Sequence, residues 1–413
     1  MSILCPDTIC LQHRVDFATY ISTNYTAIVQ FVKYFINYLE QLEQFDNDGN
    51  NVLTLFAHHM SISNKYIGHY HEIIKLLIDC NVNINVVNDK GMTTLLYVAQ
   101  LLPNLVQYND KNYVGKVIKM LVERGADVNA VDESGNSALF YMVAAHHRDY
   151  RELSNAIALF KDKVKSDVRG AQNATLLMVA IKNDSYESGE ILEFCNGFKF
   201  TDINAVDANG DTALMYALRR SYSPHPHPET CAIVDFLIKL GANTCTVNKR
   251  NETAVTTWLN EINGKRYSST GTINDTTIEY ALVIITRLIA SNAQVDTVDK
   301  NKTTVLITIV KKFMTTKNKN NITRCENLVK ELLMRGANAS VVDVYGNTAM
   351  TYAKLAPPEN AKEIIRLLSA KVAPPNDEIA ELQRAVKQLM CTNQALNARL
   401  AELEAKVASM TTK

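Results

Sequence analysis

The chain of 413 residues has no C-x-x-C pair, no glycine-rich loop, no long apolar run and no excess of charge of either sign. Its eight cysteines (5, 10, 80, 195, 231, 245, 325 and 391) are scattered, which argues against a disulfide framework and for a reducing compartment. Cys80 and Cys195 close apolar helical stretches, where each is expected to act as a small buried hydrophobe. Lys plus Arg equals Asp plus Glu at 43 each, so no global field draws the chain to nucleic acid or to an acidic membrane. No apolar run approaches the roughly 18 residues of a membrane span. The first residues lack the basic segment and apolar core of a secretory leader. The cytoplasm is the expected location, with the nucleus as the alternative.

Signatures of catalysis are missing too. The glycines stand singly, and no G-x-S-x-G, H-E-x-x-H or protein-kinase set occurs, so neither an enzyme activity nor a cofactor is expected. Histidines gather at His58-His59, His69, His71, His146-His147, His225 and His227. No cysteine pair or spaced carboxylate accompanies them, and no metal site is expected. Residues 311–324 carry five positive charges and no acid. With Phe313 their single aromatic, they read as a solvated insertion rather than a nucleic-acid patch.

What the chain does have is one phrase repeated eight times. It begins with Asp or Asn at Asp46, Asn88, Asp132, Asp207, Asn248, Asp299 and Asp343, and with Gly170 in the fourth copy. Three residues later stand Gly49, Gly91, Gly135, Asn173, Gly210, Asn251, Lys302 and Gly346. Glycine adopts a left-handed backbone freely and Asn more easily than other residues, so this slot predicts a left-handed bend, with Lys302 the exception and Asn301 able to replace it by a one-residue slip. The initial Asp or Asn can brace the bend as an Asx-turn. Next come Asn51, Thr93, Ser137, Thr175, Thr212, Thr253, Thr304 and Thr348, placed to cap a helix. Two residues on, Leu53, Leu95, Leu139, Leu177, Leu214, Val255, Leu306 and Met350 begin its buried face. Between phrases, apolar stretches at helical spacing end at Asn81, Gly125, Gly241, Asn292 or Gly336, as left-handed C-caps require. Such recurrence predicts a stacked array.

The segments RGADVNAVDESGNSAL (124–139), INAVDANGDTALMYAL (203–218) and RGANASVVDVYGNTAM (335–350) resemble ankyrin repeats, and the resemblance covers about residues 45–370. Two departures stand out. The Thr-Pro-Leu-His start of the first helix appears as Thr-Ala-Leu-Met, Thr-Thr-Leu-Leu or Ser-Ala-Leu-Phe, and the repeats exceed 33 residues, the surplus lying at 102–112, 221–229, 261–276 and 313–323. The resemblance implies an all-α helical solenoid with short β-hairpin fingers and a concave binding surface, and no chemistry. It also implies that finger residues and the first helices meet a partner protein. On that basis Lys90, Glu133, Asn209, Arg250 and Tyr345 are the candidate contact residues, Arg250 and Tyr345 the anchors.

Residues 1–45 read as an N-terminal helical cap on a 46–370 array, and 371–376 as a linker carrying Pro374-Pro375. In 377–410, Ile379, Leu382, Val386, Leu389, Asn393, Leu396, Leu400, Leu403, Val407 and Met410 alternate at spacings of three and four, the seam of a coiled coil. Asn393 at an a position and Leu at the d positions favour a parallel homo-dimer; the Arg399 to Glu404 stretch resembles a trimer motif, so a trimer is the alternative. The expected role is an oligomeric, non-catalytic adaptor that binds another protein. A second expectation is a substrate-recruiting subunit of a ubiquitin-ligase-type complex or a host-interaction protein of a large DNA virus.

Overall fold

The computed structural model describes residues 45–62, 67–105, 108–145, 151–161, 163–164, 168–183, 188–198, 202–220, 228–264, 275–314 and 316–370. The expected cap before residue 45, the linker at 371–376 and the heptad segment at 377–410 lie outside them. The chain divides into two compact units, residues 1–208 and 209–413.

The first unit runs α1 (Val52–Ile62), α2 (Ile67–Asp79), α3 (Thr94–Gln100), α4 (Tyr108–Glu123), α5 (Ala138–Ala145), α6 (Arg151–Ala158), α7 (Leu176–Lys182) and α8 (Ser188–Phe198). Its first helices α1, α3, α5 and α7 pack side by side in one layer, and α2, α4 and α6 form a second layer against them. The second unit runs α9 (Ala213–Arg219), α10 (Pro228–Lys239), α11 (Ala254–Gly264), α12 (Asp275–Ala290), α13 (Val305–Thr308), α14 (Lys319–Met334), α15 (Ala349–Leu355) and α16 (Pro358–Ser369). Here α9, α11, α13 and α15 make the first layer and α10, α12, α14 and α16 the second.

The first helices are short because their two ends are chemically marked. Side-chain oxygens of Thr93, Thr175, Thr212, Thr253, Thr304 and Thr348 accept the N–H three residues on, and Asn51 does the same for Thr54 with its amide oxygen at 2.9 Å. Ser137 departs from the expectation: its hydroxyl is buried with no hydrogen-bond partner. Leu53, Leu95, Leu139, Leu177, Leu214, Val255 and Leu306 are all buried between neighbouring helices, while Met350, on the last first-layer helix, is half-buried.

The second helices stop where Gly or Asn bends the chain. Gly125, Gly241, Asn292 and Gly336 have φ of 88°, 87°, 64° and 84°. At each, the N–H of the Gly or Asn and that of the following Ala turn back to carbonyls of the last helical turn; Ala126 bonds Leu121 at 2.9 Å and Ala337 bonds Leu332 at 2.9 Å. These paired bonds satisfy carbonyls that a helix end leaves open. The surplus residues are spent partly on helix: α4, α12 and α14 each reach 16 residues. Of the helix-closing cysteines, Cys80 is half-buried rather than buried, and the side chain of Cys195 is outside the description. Among the described residues Cys325 is the buried thiol, pushed up by desolvation to about 12.

Asparagine ties consecutive repeats together. Asn85 donates to the Gly125 carbonyl at 3.0 Å and accepts the Asp127 N–H at 2.7 Å. Asn360 donates to the carbonyls of Met314 and Thr316 from a buried position. A side chain with both donor and acceptor can satisfy two backbone groups at once.

Candidate functional site

The residues free to act are set by how each finger is built. All eight predicted bend residues have positive φ, from 56° at Lys302 to 82° at Gly135. Lys302 therefore takes the left-handed conformation itself, and no slip to Asn301 occurs. Its bend is held from outside: Asp299 Oδ1 accepts the N–H groups of Asn301 and Thr303 at 2.9 and 2.8 Å. The same two bonds recur at Asp46, Asn88, Asp132, Asn248 and Asp343. The backbone N–H of each of these residues also bonds the carbonyl four residues on, closing the loop.

Gly170 lacks the bracing side chain, and the structure explains the substitution. A Cβ there would stand 2.6 Å from Asn136 Oδ1 and from the Phe140 ring. Asn136 Oδ1 fills that space and accepts the Ala171 N–H at 2.8 Å, a different bond from the bracing pair. The expected hairpins shrink to single bridges, Val131 with Ser137 and Arg169 with Thr175, and bridge positions recur at Val206 and Thr212; the described residues hold no longer strand. Neighbouring fingers join by one backbone bond: Asp89 to Asp48, Ala208 to Gln172, Lys249 to Asn209 and Val344 to Asn301.

Lys90, Glu133, Asn209, Arg250 and Tyr345 all lie exposed on fingers. The two expected anchors also have internal partners. Arg250 contacts Glu252 at 3.0 Å and Asp211 at 3.1 Å. Asp211, 3 % exposed, also receives both guanidinium nitrogens of Arg219 and the Asn248 amide. Burial pushes the Asp211 carboxyl up, but bonds from Arg219 and Asn248 outweigh it and leave it below the ordinary range. Glu252 is lowered on the same balance.

Tyr345, 75 % exposed, lies with its ring 5.3 Å from Lys311 Nζ, which also sits 4.6 Å from the Tyr352 ring and 3.4 Å from Asp343. Lys311 is on a π-helical turn, Ile309–Phe313, that continues α13. The next residue, Lys312, donates to the Ile262 carbonyl at 2.8 Å, and Arg324 pairs with Glu279. Three of the five charges in 311–324 are thus occupied internally.

The sequence reading missed one row of residues. The position before each bracing Asp or Asn is exposed and apolar in Phe45, Val87, Val131, Val206, Val247, Val298 and Val342, each between 38 and 63 % exposed. Arg169 replaces it in the fourth copy. The signal was present, since Val precedes Asp or Asn in six copies. However, adjacent valines such as Val86 and Val87 have opposite fates, one buried and one exposed.

Repeated left-handed finger, side-chain cap, helix pair and left-handed C-cap together decide the architecture. The fold is of the ankyrin-repeat type. No protein-family pattern matches the chain, and no curated protein matches it. A search of solved structures returns the crystal structure of the ankyrin repeat domain of Bcl-3, described as a unique member of the IkappaB protein family. It is 16 % identical, covers 78 % of this chain and 99 % of its own, and has a TM-score of 0.36. The assignment rests on the repeat geometry and not on that likeness. Among the described residues, no His, Cys, Asp or Glu group could hold a metal ion, and no helix is long and apolar enough to cross a membrane.

Proposed function

We propose that this ankyrin-type array is a non-catalytic adaptor in the cytoplasm that binds another protein through its fingers and is multiplied by the heptad segment 377–410 as a parallel dimer. One observation supports it above others. The bracing bonds use one Asx side chain and backbone N–H groups, while the side chains of Lys90, Arg250 and Tyr345 are exposed and take no part in them. A surface whose scaffold and whose exposed positions are separate in this way can vary its contacts without loss of fold. The heptad register supplies the second half of the reading, since two arms on one stalk gain avidity without new contacts.

The test has two parts. Light scattering of the full chain at micromolar concentration should give a dimer mass, and removal of 376–413 should give a folded monomer with weaker apparent binding to multivalent targets. Affinity capture followed by Tyr345→Ala should lower partner retention, whereas an unchanged yield with every finger substitution would refute the binding surface.

A further inference from the structure

The fingers of the second unit alternate exposed, buried, exposed: Val247-Asn248-Lys249 and Val298-Asp299-Lys300, followed by Val342-Asp343-Val344. Each of these fingers therefore exposes the valine before the Asx and the turn residue just after it. Val247, Val298 and Val342 are 54, 43 and 46 % exposed. The first two of these fingers carry the cations Lys249, Lys300 and Lys302, which are exposed and make no ion pair among the described residues. The carboxylates of the same fingers are committed elsewhere. Asp211 and Glu252 hold Arg219 and Arg250, and Asp299 and Asp343 accept backbone N–H groups. On this edge the ammonium groups stand exposed while Asp211, Asp299 and Asp343 are buried; the exposed Asp296 accepts the Asn338 N–H. The first unit differs: there Val87 and Val131 are followed, past the Asx, by Asp89 and Glu133.

Resting on the interaction reading above, we infer that the finger edge of the second unit binds an extended polypeptide segment carrying apolar residues at every third position and carboxylates between them. Helices packed side by side lie about 8–10 Å apart, so the valine row advances by roughly that distance per repeat. An extended chain in the three-residue turn of polyproline II places same-side residues about 9 Å apart. Such a segment sets one apolar side chain against each of Val247, Val298 and Val342, and its acids face Lys249, Lys300 and Lys302.

The experiment uses the full chain and a fluorescein-labelled peptide of about ten residues, leucine at every third position and glutamate elsewhere, read by fluorescence anisotropy. A matched peptide with lysine for glutamate, and a scrambled one, are the controls. The glutamate peptide should bind best, with affinity falling as salt rises. Val298→Ser should weaken it by roughly tenfold. Lys249→Glu with Lys300→Glu should reverse the preference toward the lysine peptide. All three positions are exposed, and circular dichroism confirms that the variants fold. Equal binding of the two charged peptides, or no loss in Val298→Ser, overturns the inference. So does a change of oligomeric mass in Val298→Ser without peptide binding, which would make the row a contact between copies. If the peptide fails while Tyr345→Ala still lowers partner capture, this inference alone falls; if no finger substitution affects capture, the interaction reading falls with it.

Discussion

Replacing Gly91 by Ala isolates the energy of the left-handed bend. Gly91 has φ of 72°, and a Cβ built there meets nothing within 4 Å, so the whole penalty is conformational. The left-handed region costs an L-residue about 1–2 kcal/mol. Stiffening the unfolded chain returns about 0.4–1 kcal/mol. Gly91→Ala should therefore destabilise by about 0.5–1.5 kcal/mol. Gly189 in α8 is the control: it is equally open but not left-handed, and Gly189→Ala should stabilise by about 0.5–1 kcal/mol. Lys302→Gly runs the first balance backwards. Its φ of 56° is relieved, and the net should be a stabilisation of about 0.5–1 kcal/mol. Urea unfolding by far-UV circular dichroism gives the midpoints. Hydrogen exchange at the finger amides gives the local effect, which an array of repeats can show without a single global transition. If Gly91→Ala shifted the midpoint in the same direction as Gly189→Ala, or if Lys302→Gly destabilised, the bend would not be the constraint argued here.

Other outcomes follow from the same structure. Thr304→Ala should cost about 1 kcal/mol by removing a cap, while Ser137→Ala, whose hydroxyl makes no hydrogen bond, should be neutral or slightly stabilising in the same urea assay. Leu306→Ala should cost about 2–5 kcal/mol, and Met350→Ala less because it is half-buried, as thermal unfolding would show. Asp211→Ala should cost about 1–3 kcal/mol through the polar groups it leaves unpaired. Asp211, Glu252 and Asp343 are all held below their ordinary range, so the unfolded chain takes up protons before the folded one does. Their contribution is complete above the ordinary carboxylate range near about 4 and is lost as pH falls through the lowered folded values. Urea midpoints should drop across that acid range, and less steeply in Asp211→Asn.

The features legible in the sequence are those whose cause lies within a few residues. A left-handed bend selects Gly or Asn wherever it occurs, so Gly49, Asn251 or Gly336 announces it without reference to the rest of the fold. Lys302 looked like an exception because the force holding it, two N–H bonds to Asp299, is a property of the closed loop. Gln172, which joins Asn173 in the left-handed region, was not legible, and neither was Gly170, whose missing Cβ leaves room for the Phe140 ring of the preceding repeat. The candidate surface was half legible. Exposure of Tyr345 and Arg250 follows from their place in the finger, but their contacts with Lys311 and Asp211 join residues 34 and 39 positions apart. The valine row escaped because hydropathy cannot say which of two neighbouring valines points outward.

The self-bracing finger also bears on how such a chain can change over time. A loop braced in this way keeps its shape through one carboxylate or amide and the main chain, so the two or three letters at its tip can be rewritten without rebuilding the stack behind them. Successive copies then become independent characters in a longer text, and a new specificity can be assembled one repeat at a time while the protein stays folded throughout.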